Sequence, residues 1–219
     1  MESITWNTDF AYALGLITSD GNLSPDGRHL AFISADMELI NTFKACLGLK
    51  NRVSLKKIGG YSKNNSKKCY VVQFGDVKLY RFLKLIGLNP NKSKNIARLF
   101  VPRQYFPDFL RGLIDGDGHI HVFKHPESKN LQLNLRVISG SYPFLKWLEK
   151  YIQNYLNING KIRAMNGAFE LDYYKKGSVE IFKKIYYSDA IPYLKRKFNT
   201  AKLFLGGCGE TGRHVSLRS

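Results

Sequence analysis

Three scarcities narrow the reading before any motif is considered. There are only three cysteines in 219 residues, Cys46, Cys69 and Cys208, widely separated and outside any CxxC or Cys/His pattern. A disulfide scaffold and a cysteine-based zinc site are therefore excluded, and the thiols are read as reduced. No apolar run approaches the roughly 18 residues a membrane helix needs, and no charged start leads into an apolar secretory segment. The expectation is a soluble, intracellular chain with no membrane partner. Acidic residues are the third scarcity: 17 Asp and Glu stand against 34 Lys and Arg, a formal net charge of +17. Such an excess goes beyond what solubility requires and points to a polyanion, nucleic acid before a membrane surface.

What is present is a repeat. "ALGLITSDG" at 13 to 21 returns as "LRGLIDGDG" at 110 to 118, and the order of segments after each is the same. A strand-like piece ending "AFIS" or "RVIS" leads to a helical stripe, Leu39, Ile40, Phe43 and Leu47 in one half and Phe144, Leu145, Leu148 and Ile152 in the other. Each half then continues with a strand pair, another helix and a Lys-rich elbow, "NKSKNI" or "LKRKFN". The class is α+β, two repeats of helix, hairpin, helix, hairpin, helix. The boundaries are residues 1–98 and 109–205, joined by a linker at 99–108 that contains Pro102 and Pro107, with a glycine-rich tail at 206–219.

The two motif helices are apolar around most of their circumference, as buried elements are. Gly15 and Ser19, and likewise Gly112 and Gly116, recur one turn apart, giving each helix a side-chain-poor stripe for close approach of another backbone. The economical partner for each stripe is the other. Packed about a pseudo-twofold axis, the helices would end side by side with Asp20 and Asp117 at their C-terminal tips and Gly21 and Gly118 as left-handed caps. Two carboxylates at two helix C-termini oppose both macrodipoles and each other, so a cation must offset them. The hard oxygen donor set suits Mg²⁺ completed by water and phosphate oxygens. A calcium loop in "DGDGHIHVFKHPE" is excluded, because Ile120 replaces the required glycine and Glu127 falls one place late.

These motifs resemble the two signature helices of the LAGLIDADG homing endonucleases, and the likeness runs over about residues 5 to 205. The second copy matches closely; the first has Thr18 where the name-giving motif has its first Asp. The resemblance implies two αββαββα units whose antiparallel sheets form a saddle on the DNA major groove. It implies a monomer with internal pseudo-twofold symmetry that cuts both strands of a long, asymmetric target. Asp20 and Asp117, with Gly21 and Gly118 beside them, would form the divalent-metal site, for Mg²⁺ or ions such as Mn²⁺ or Ca²⁺. A lysine in each elbow, Lys94 and Lys197, would lie near the active sites and act on the phosphate or the attacking water. An intron maturase that folds RNA, or a non-cleaving DNA-binding regulator, is the alternative for the same fold.

Alternation along the strands agrees with a saddle. Ile120 and Val122 alternate with His119, His121 and Phe123, followed by His125; Leu133, Leu135 and Val137 alternate with Gln132, Asn134 and Arg136. The polar members are types that pair with base edges. Asn22, Ser24, Arg28, Arg52, Ser54, Lys56 and Gln73 are the candidates in the first half, and Lys161, Arg163 and Asp172 complete the second. The histidines lack a further His or Cys placed to complete a zinc site. The basic loop "GGYSKNNSKK" is expected to follow phosphates.

Overall fold

The computed structural model describes residues 4–56, 68–127 and 129–205. The loop just named therefore lies mostly outside the described residues, as does the tail from 206 onward. The first repeat runs α1 (Thr8–Asp20), β1 (Gly21–Leu23), β2 (His29–Ser34), α2 (Met37–Cys46), β3 (Val53–Lys56), β4 (Cys69–Gly75), α3 (Val77–Leu85) and a short α4 (Lys92–Asn95). The second runs α5 (Phe106–Asp117), β5 (Gly118–Lys124), β6 (Leu131–Ser139), α6 (Tyr142–Leu156), β7 (Lys161–Met165), β8 (Ala168–Tyr173), α7 (Lys175–Ile185) and α8 (Lys195–Leu205). The linker is shorter than the sequence implied. Pro107 sits in the first turn of α5, where its missing N–H has no intrahelical partner to lose, so it starts the helix instead of breaking it.

Helix starts follow local chemistry. Asn7, Asp36, Asp76 and Ser141 each accept a backbone N–H from the first turn of the helix that follows, at 2.7 Å for Asn7 to Phe10 and 2.8 Å for Asp76 to Leu79. The strands form two antiparallel four-stranded sheets of identical order, β1-β2-β4-β3 and β5-β6-β8-β7. Registers coincide as well. Phe32 pairs with Gly21 and Val72, and Val137 pairs with Gly118 and Leu171, so Phe32 and Val137 are equivalent. One face of each sheet is apolar. Leu30, Phe32, Val72 and Phe74 meet Leu39, Ile40 and Phe43 of α2, while Leu133, Leu135, Val137 and Leu171 meet Leu145, Leu148 and Ile152 of α6.

Between the two units, α1 packs along α5. Tyr12, Leu14, Leu16, Phe109 and Ile114 are fully or almost fully buried there. The glycine stripes determine how closely the helices approach. A β-carbon at Gly112 would sit 2.0 Å from the Tyr12 carbonyl oxygen, and one at Gly15 would sit 2.2 Å from that of Phe109, so only glycine fits at either crossing point. Ser19 occupies the position facing Gly116, where its hydroxyl donates back to Leu16.

Candidate active site and nucleic-acid interface

The close crossing brings the C-terminal ends of α1 and α5 to the same place. Asp20 and Asp117 are near enough for one carboxyl to hydrogen-bond the other. Burial, with repulsion from Asp117, pushes Asp20 up to about 7; burial raises Asp117 too. The following glycines are not left-handed caps. Gly21 has φ −75° and ψ 153°, and Gly118 has φ −67° and ψ 137°, both extended. Each helix turns straight into a strand, and a β-carbon would strike the backbone of the last turn, within 2.6 Å of Ile17 in one copy and 2.5 Å of Ile114 in the other.

Two lysines satisfy the helix ends. Lys197 lies at 2.6 to 3.1 Å from the carbonyl oxygens of Ile114, Asp115, Gly116 and Gly118. Its counterpart is Lys92 and not Lys94: Lys92 donates to Thr18 at 2.8 Å and Ser19 at 2.6 Å. Lys94 is exposed on the outer side of the short α4. One helical turn cannot present residues two apart to the same neighbour, so the elbow alignment that paired Lys94 with Lys197 is replaced by the pairing through Lys92. Burial lowers the affinity of both ammoniums for their protons, that of Lys197 to about 8, and the carboxylates Asp20 and Asp117 oppose this. Both cations thus neutralise the carbonyl ends of α1 and α5 beside the acid pair. The Gly118 carbonyl accepts from Lys197 at 2.7 Å. A cavity of about 360 Å³ opens next to Asp117, Lys92 and Ser139.

Two residues that sequence reasoning passed over hold this end of the molecule. Asp115, fully buried, accepts from the Tyr12 hydroxyl and the Leu194 amide at 2.8 Å each, and burial pushes it up to about 6. Arg111, also fully buried, binds the Pro192 and Ile185 carbonyls and Asp108 at 2.7 to 2.8 Å. The signal was in the sequence, as a charged pair inside an otherwise apolar helix. In α1 the place of Asp115 is taken by Thr18, whose hydroxyl bonds to Leu14 of its own helix, so the buried carboxylate at the centre of this network has no counterpart in the first repeat.

The sheet faces turned away from the helices carry the predicted polar residues. In the first repeat Asn22, Ser54, Lys56 and Gln73 are exposed on strands, Arg52 precedes β3, and Ser24 and Arg28 lie in the β1–β2 turn. The centre of their face mixes small and apolar residues with Gln73: Ala31 pairs with Gln73 and Ile33 with Val71. His29, missed in sequence, is exposed on the same strand face and meets Asp26 at 2.5 Å. In the second repeat His119, His121 and Phe123 stack in a row with ring centroids 5.9 and 5.0 Å apart. They pair across to Arg136, Asn134 and Gln132, but Asn134 is buried, so it does not present its amide to a duplex as the strand alternation led one to expect. Lys161 is exposed and Arg163 half-exposed on β7, while His125 lies beyond β5 in the turn.

Asp172 departs from its expected role. It is buried, 3.4 Å from Arg136 and 3.5 Å from Arg163, and so lies beneath the arginines instead of presenting an acceptor to a base. Glu170 adds a second carboxylate 3.8 Å from Arg136. A carboxylate between two guanidiniums is drawn in by them, which sequence alternation alone does not reveal.

Residues 108–187 match the family described as LAGLIDADG-like domain. Among solved structures, the homing endonuclease I-WcaI bound to its DNA recognition sequence is similar with a TM-score of 0.66 and 13% identity, covering 90% of this chain and 88% of that one. I-SmaMI bound to uncleaved DNA target in the presence of calcium ions matches at 0.55 and 12%, covering 92% and 91%. Full-length DUF199/WhiA from Thermatoga maritima matches at 0.55 and 16% over 97% of this chain, which spans 65% of that protein. No curated protein matches the sequence. Among the described residues, no helix is long and apolar enough to cross a membrane.

Proposed function

Starting from a chain whose second repeat belongs to the LAGLIDADG-like domain family and whose whole fold is that of the LAGLIDADG homing endonucleases, we propose that it is a site-specific endonuclease of double-stranded DNA. It makes a double-strand break in a long asymmetric target by metal-dependent hydrolysis of one phosphodiester on each strand, and one chain carries both half-site readers. The observation that carries this reading is the meeting of Asp20 and Asp117, one from each repeat, at the helix ends between the two sheets.

The donor set fits a hard divalent ion. Two carboxylates stand at two carbonyl-rich helix ends, and no cluster of three or more His, Cys, Asp or Glu exists among the described residues to build a softer or closed site. Asp20 and Asp117 would hold the ion, Mg²⁺ in the first instance, with Mn²⁺ or Ca²⁺ suited to the same oxygens. When bound, it supplies Lewis acidity to the phosphate and a more acidic water. The residues of this chain do the rest. Lys92 and Lys197 are positioning residues, because their ammoniums hold the last carbonyls of α1 and α5 and keep the two aspartates opposed. The exposed Arg, Lys, Gln and Asn side chains of the sheets orient the duplex over the acid pair. The DNA-bound relatives, one of them with calcium, support this reading.

Incubation with a randomised duplex library in Mg²⁺ tests it. Wild type should cut a selected sequence on both strands, while Asp20→Asn and Asp117→Asn should abolish the double-strand break and keep duplex binding near or above wild type, since each removes a ligand and a repulsion against phosphate. Full cleavage by either variant would overturn the site. A wild-type chain that selects duplex DNA and never cuts it would be a regulator, and one that prefers RNA to duplex would be a maturase.

A further inference from the structure

Each buried lysine is carried by an elbow that touches the opposite repeat. In the second elbow three successive residues are tied down before Lys197 is reached. The Leu194 amide donates to Asp115 of α5 at 2.8 Å. The Lys195 amide then donates to Glu38 at 3.2 Å, and Arg196 Nε donates to Asp36 at 3.1 Å. Asp36 and Glu38 belong to the first repeat, 160 and 157 positions earlier. Pro192 and Tyr193 lie over the same part of α2, lining with Glu38 and Asn41 a cleft of about 500 Å³. Helix α8 therefore begins on a footing made by both repeats.

The first elbow shows the crossed counterpart. Ile96, which ends α4, offers its carbonyl to the hydroxyl of Ser141, the cap of α6. Lys92 and Ile96 share the walls of the cavity beside Asp117 with Ser139 and Phe144 of the second repeat. Asp36 and Ser141 are equivalent positions. Each donates its amide at 3.1 Å to a serine hydroxyl at the end of the preceding strand, Ser34 or Ser139. Capping alone does not require the contacts to the elbows. An N-cap needs one acceptor for an amide of the first turn; Asp36 gives one oxygen to Glu38 at 3.0 Å and turns the other to Arg196. Ser141 accepts from Phe144 and still donates away from its helix to Ile96. One cap uses a carboxylate on a guanidinium and the other a hydroxyl on a carbonyl, yet both reach the opposite elbow. The Arg196 side chain is 61% exposed, where an isolated ion pair stabilises little. Combined with the ties on Leu194 and Lys195, it sets the rotation of the first turn of α8 and so the direction from which Lys197 reaches the end of α5.

We infer that Asp36 and Glu38 are positioning residues for Lys197, and Ser141 for Lys92, so that each acid-bearing helix end is set by a lysine whose elbow the opposite repeat holds. The consequence for cutting rests on the endonuclease reading. A change at the cap of α2, in the first repeat, slows the strand whose cleavage depends on Lys197, in the second. Neither repeat completes a cutting centre by itself.

The test uses the full chain with the double variant Asp36→Asn/Glu38→Ala, which keeps an acceptor at the cap and removes both ties to the second elbow, and with Ser141→Ala as its reciprocal. The first readout is amide hydrogen exchange without DNA or metal. The double variant should speed exchange at the Lys197 and Phe198 amides, bonded to the Leu194 carbonyl at 3.0 Å, by about fivefold or more. It should leave the Ile96 amide, bonded to Lys92 at 2.9 Å, within about twofold, and Ser141→Ala should do the reverse. The second readout is strand-resolved nicking of a selected duplex in Mg²⁺, in single turnover at saturating protein so that affinity does not enter. The double variant should slow, by about tenfold or more, the strand that Lys197→Met slows, and Ser141→Ala the strand that Lys92→Met slows. Faster exchange at both elbows together, as ordinary loss of stability would give, or at neither, overturns the proposal. So does equal slowing of both strands, or slowing of the other strand. A chain that never cuts removes the endonuclease reading alone, because the exchange pattern still decides which repeat holds each elbow.

Discussion

The two sheets share strand order and register and differ on the face that meets solvent. Across the first, Asn22, Ala31 and Gln73 lie in one row; across the second the equivalent row is His119, Arg136 and Asp172, extended by Lys161. The next row opposes Ile33 and Val71 in the first sheet to Ile138 and Glu170 in the second. On the apolar side the partners stay apolar though their sizes trade: Phe32 against Val137, Val72 against Leu171. Core packing penalises a buried polar group and tolerates apolar exchanges that keep the summed volume, so the buried rows stay apolar. The solvent rows carry no such constraint, and two copies of one unit have become two surfaces of different chemistry.

The largest expected effect comes from breaking what the repeats share. Gly112→Ala places a β-carbon against backbone and should cost about 3 kcal/mol in urea unfolding. Gly116→Ala meets the Ser19 hydroxyl at 1.9 Å, which can rotate away, and the Ser19 β-carbon at 2.7 Å, which cannot, and should cost about 2 kcal/mol. Equal losses would mean that the crossing is not the tight point of the fold.

The lysine pair sharpens the comparison at the next level. Lys197→Met removes an ammonium shared among four carbonyls, of which Ile114 keeps the Gly118 N–H, and should destabilise by about 2–3 kcal/mol, against about 1–2 kcal/mol for Lys92→Met, which removes one shared between two. Lys94→Met, on the exposed side, should leave the melting temperature unchanged. A larger loss from Lys94 than from Lys92 would reverse the pairing assigned to the two elbows.

On the solvent faces, Arg136→Ala should cost about 1–3 kcal/mol of discrimination at one or two base pairs of one half-site. Asp172→Asn should instead raise affinity for random duplex while loosening that same preference, since it frees two guanidiniums from a carboxylate that orders them. Profiling cut sites from a randomised library reads both. Changes spread over both half-sites, or a symmetric wild-type target, would show that the sheets do not read separately.

The smallest effect is a pH dependence. Asp20 titrates near 7 in the folded chain, and Asp117 is raised with it. Between that pH and the ordinary carboxyl value near 4 the folded state binds more protons than the unfolded one, so metal-free stability should rise as pH falls through this window. Asp20→Asn should flatten the slope, and so should saturating Mg²⁺. An unchanged slope in Asp20→Asn would assign the effect elsewhere, to Asp115 first.

The repeat, the two motif helices, the alternating strands and the opposed aspartates were legible in the sequence because each rests on periodicity or on residues at one helix end. Gly15 and Gly112 were legible for the same reason: a missing side chain is visible without knowing its partner. Tertiary structure decided what depends on the other end of a contact. Lys92 and Lys94 are two residues apart in one elbow, and only the approach of that elbow to α1 selects the one that reaches the Thr18 carbonyl. Asp172 reads as an exposed acceptor by alternation, yet two arginines from neighbouring strands close over it. Asp115 and Arg111 look out of place in an apolar helix until Leu194, Pro192 and Ile185, some 70 to 80 positions later, supply their partners. Local pattern fixes which face a side chain takes; what it meets there is set by chain that returns from far away, and burial then converts that meeting into a pairing the isolated segment could not hold.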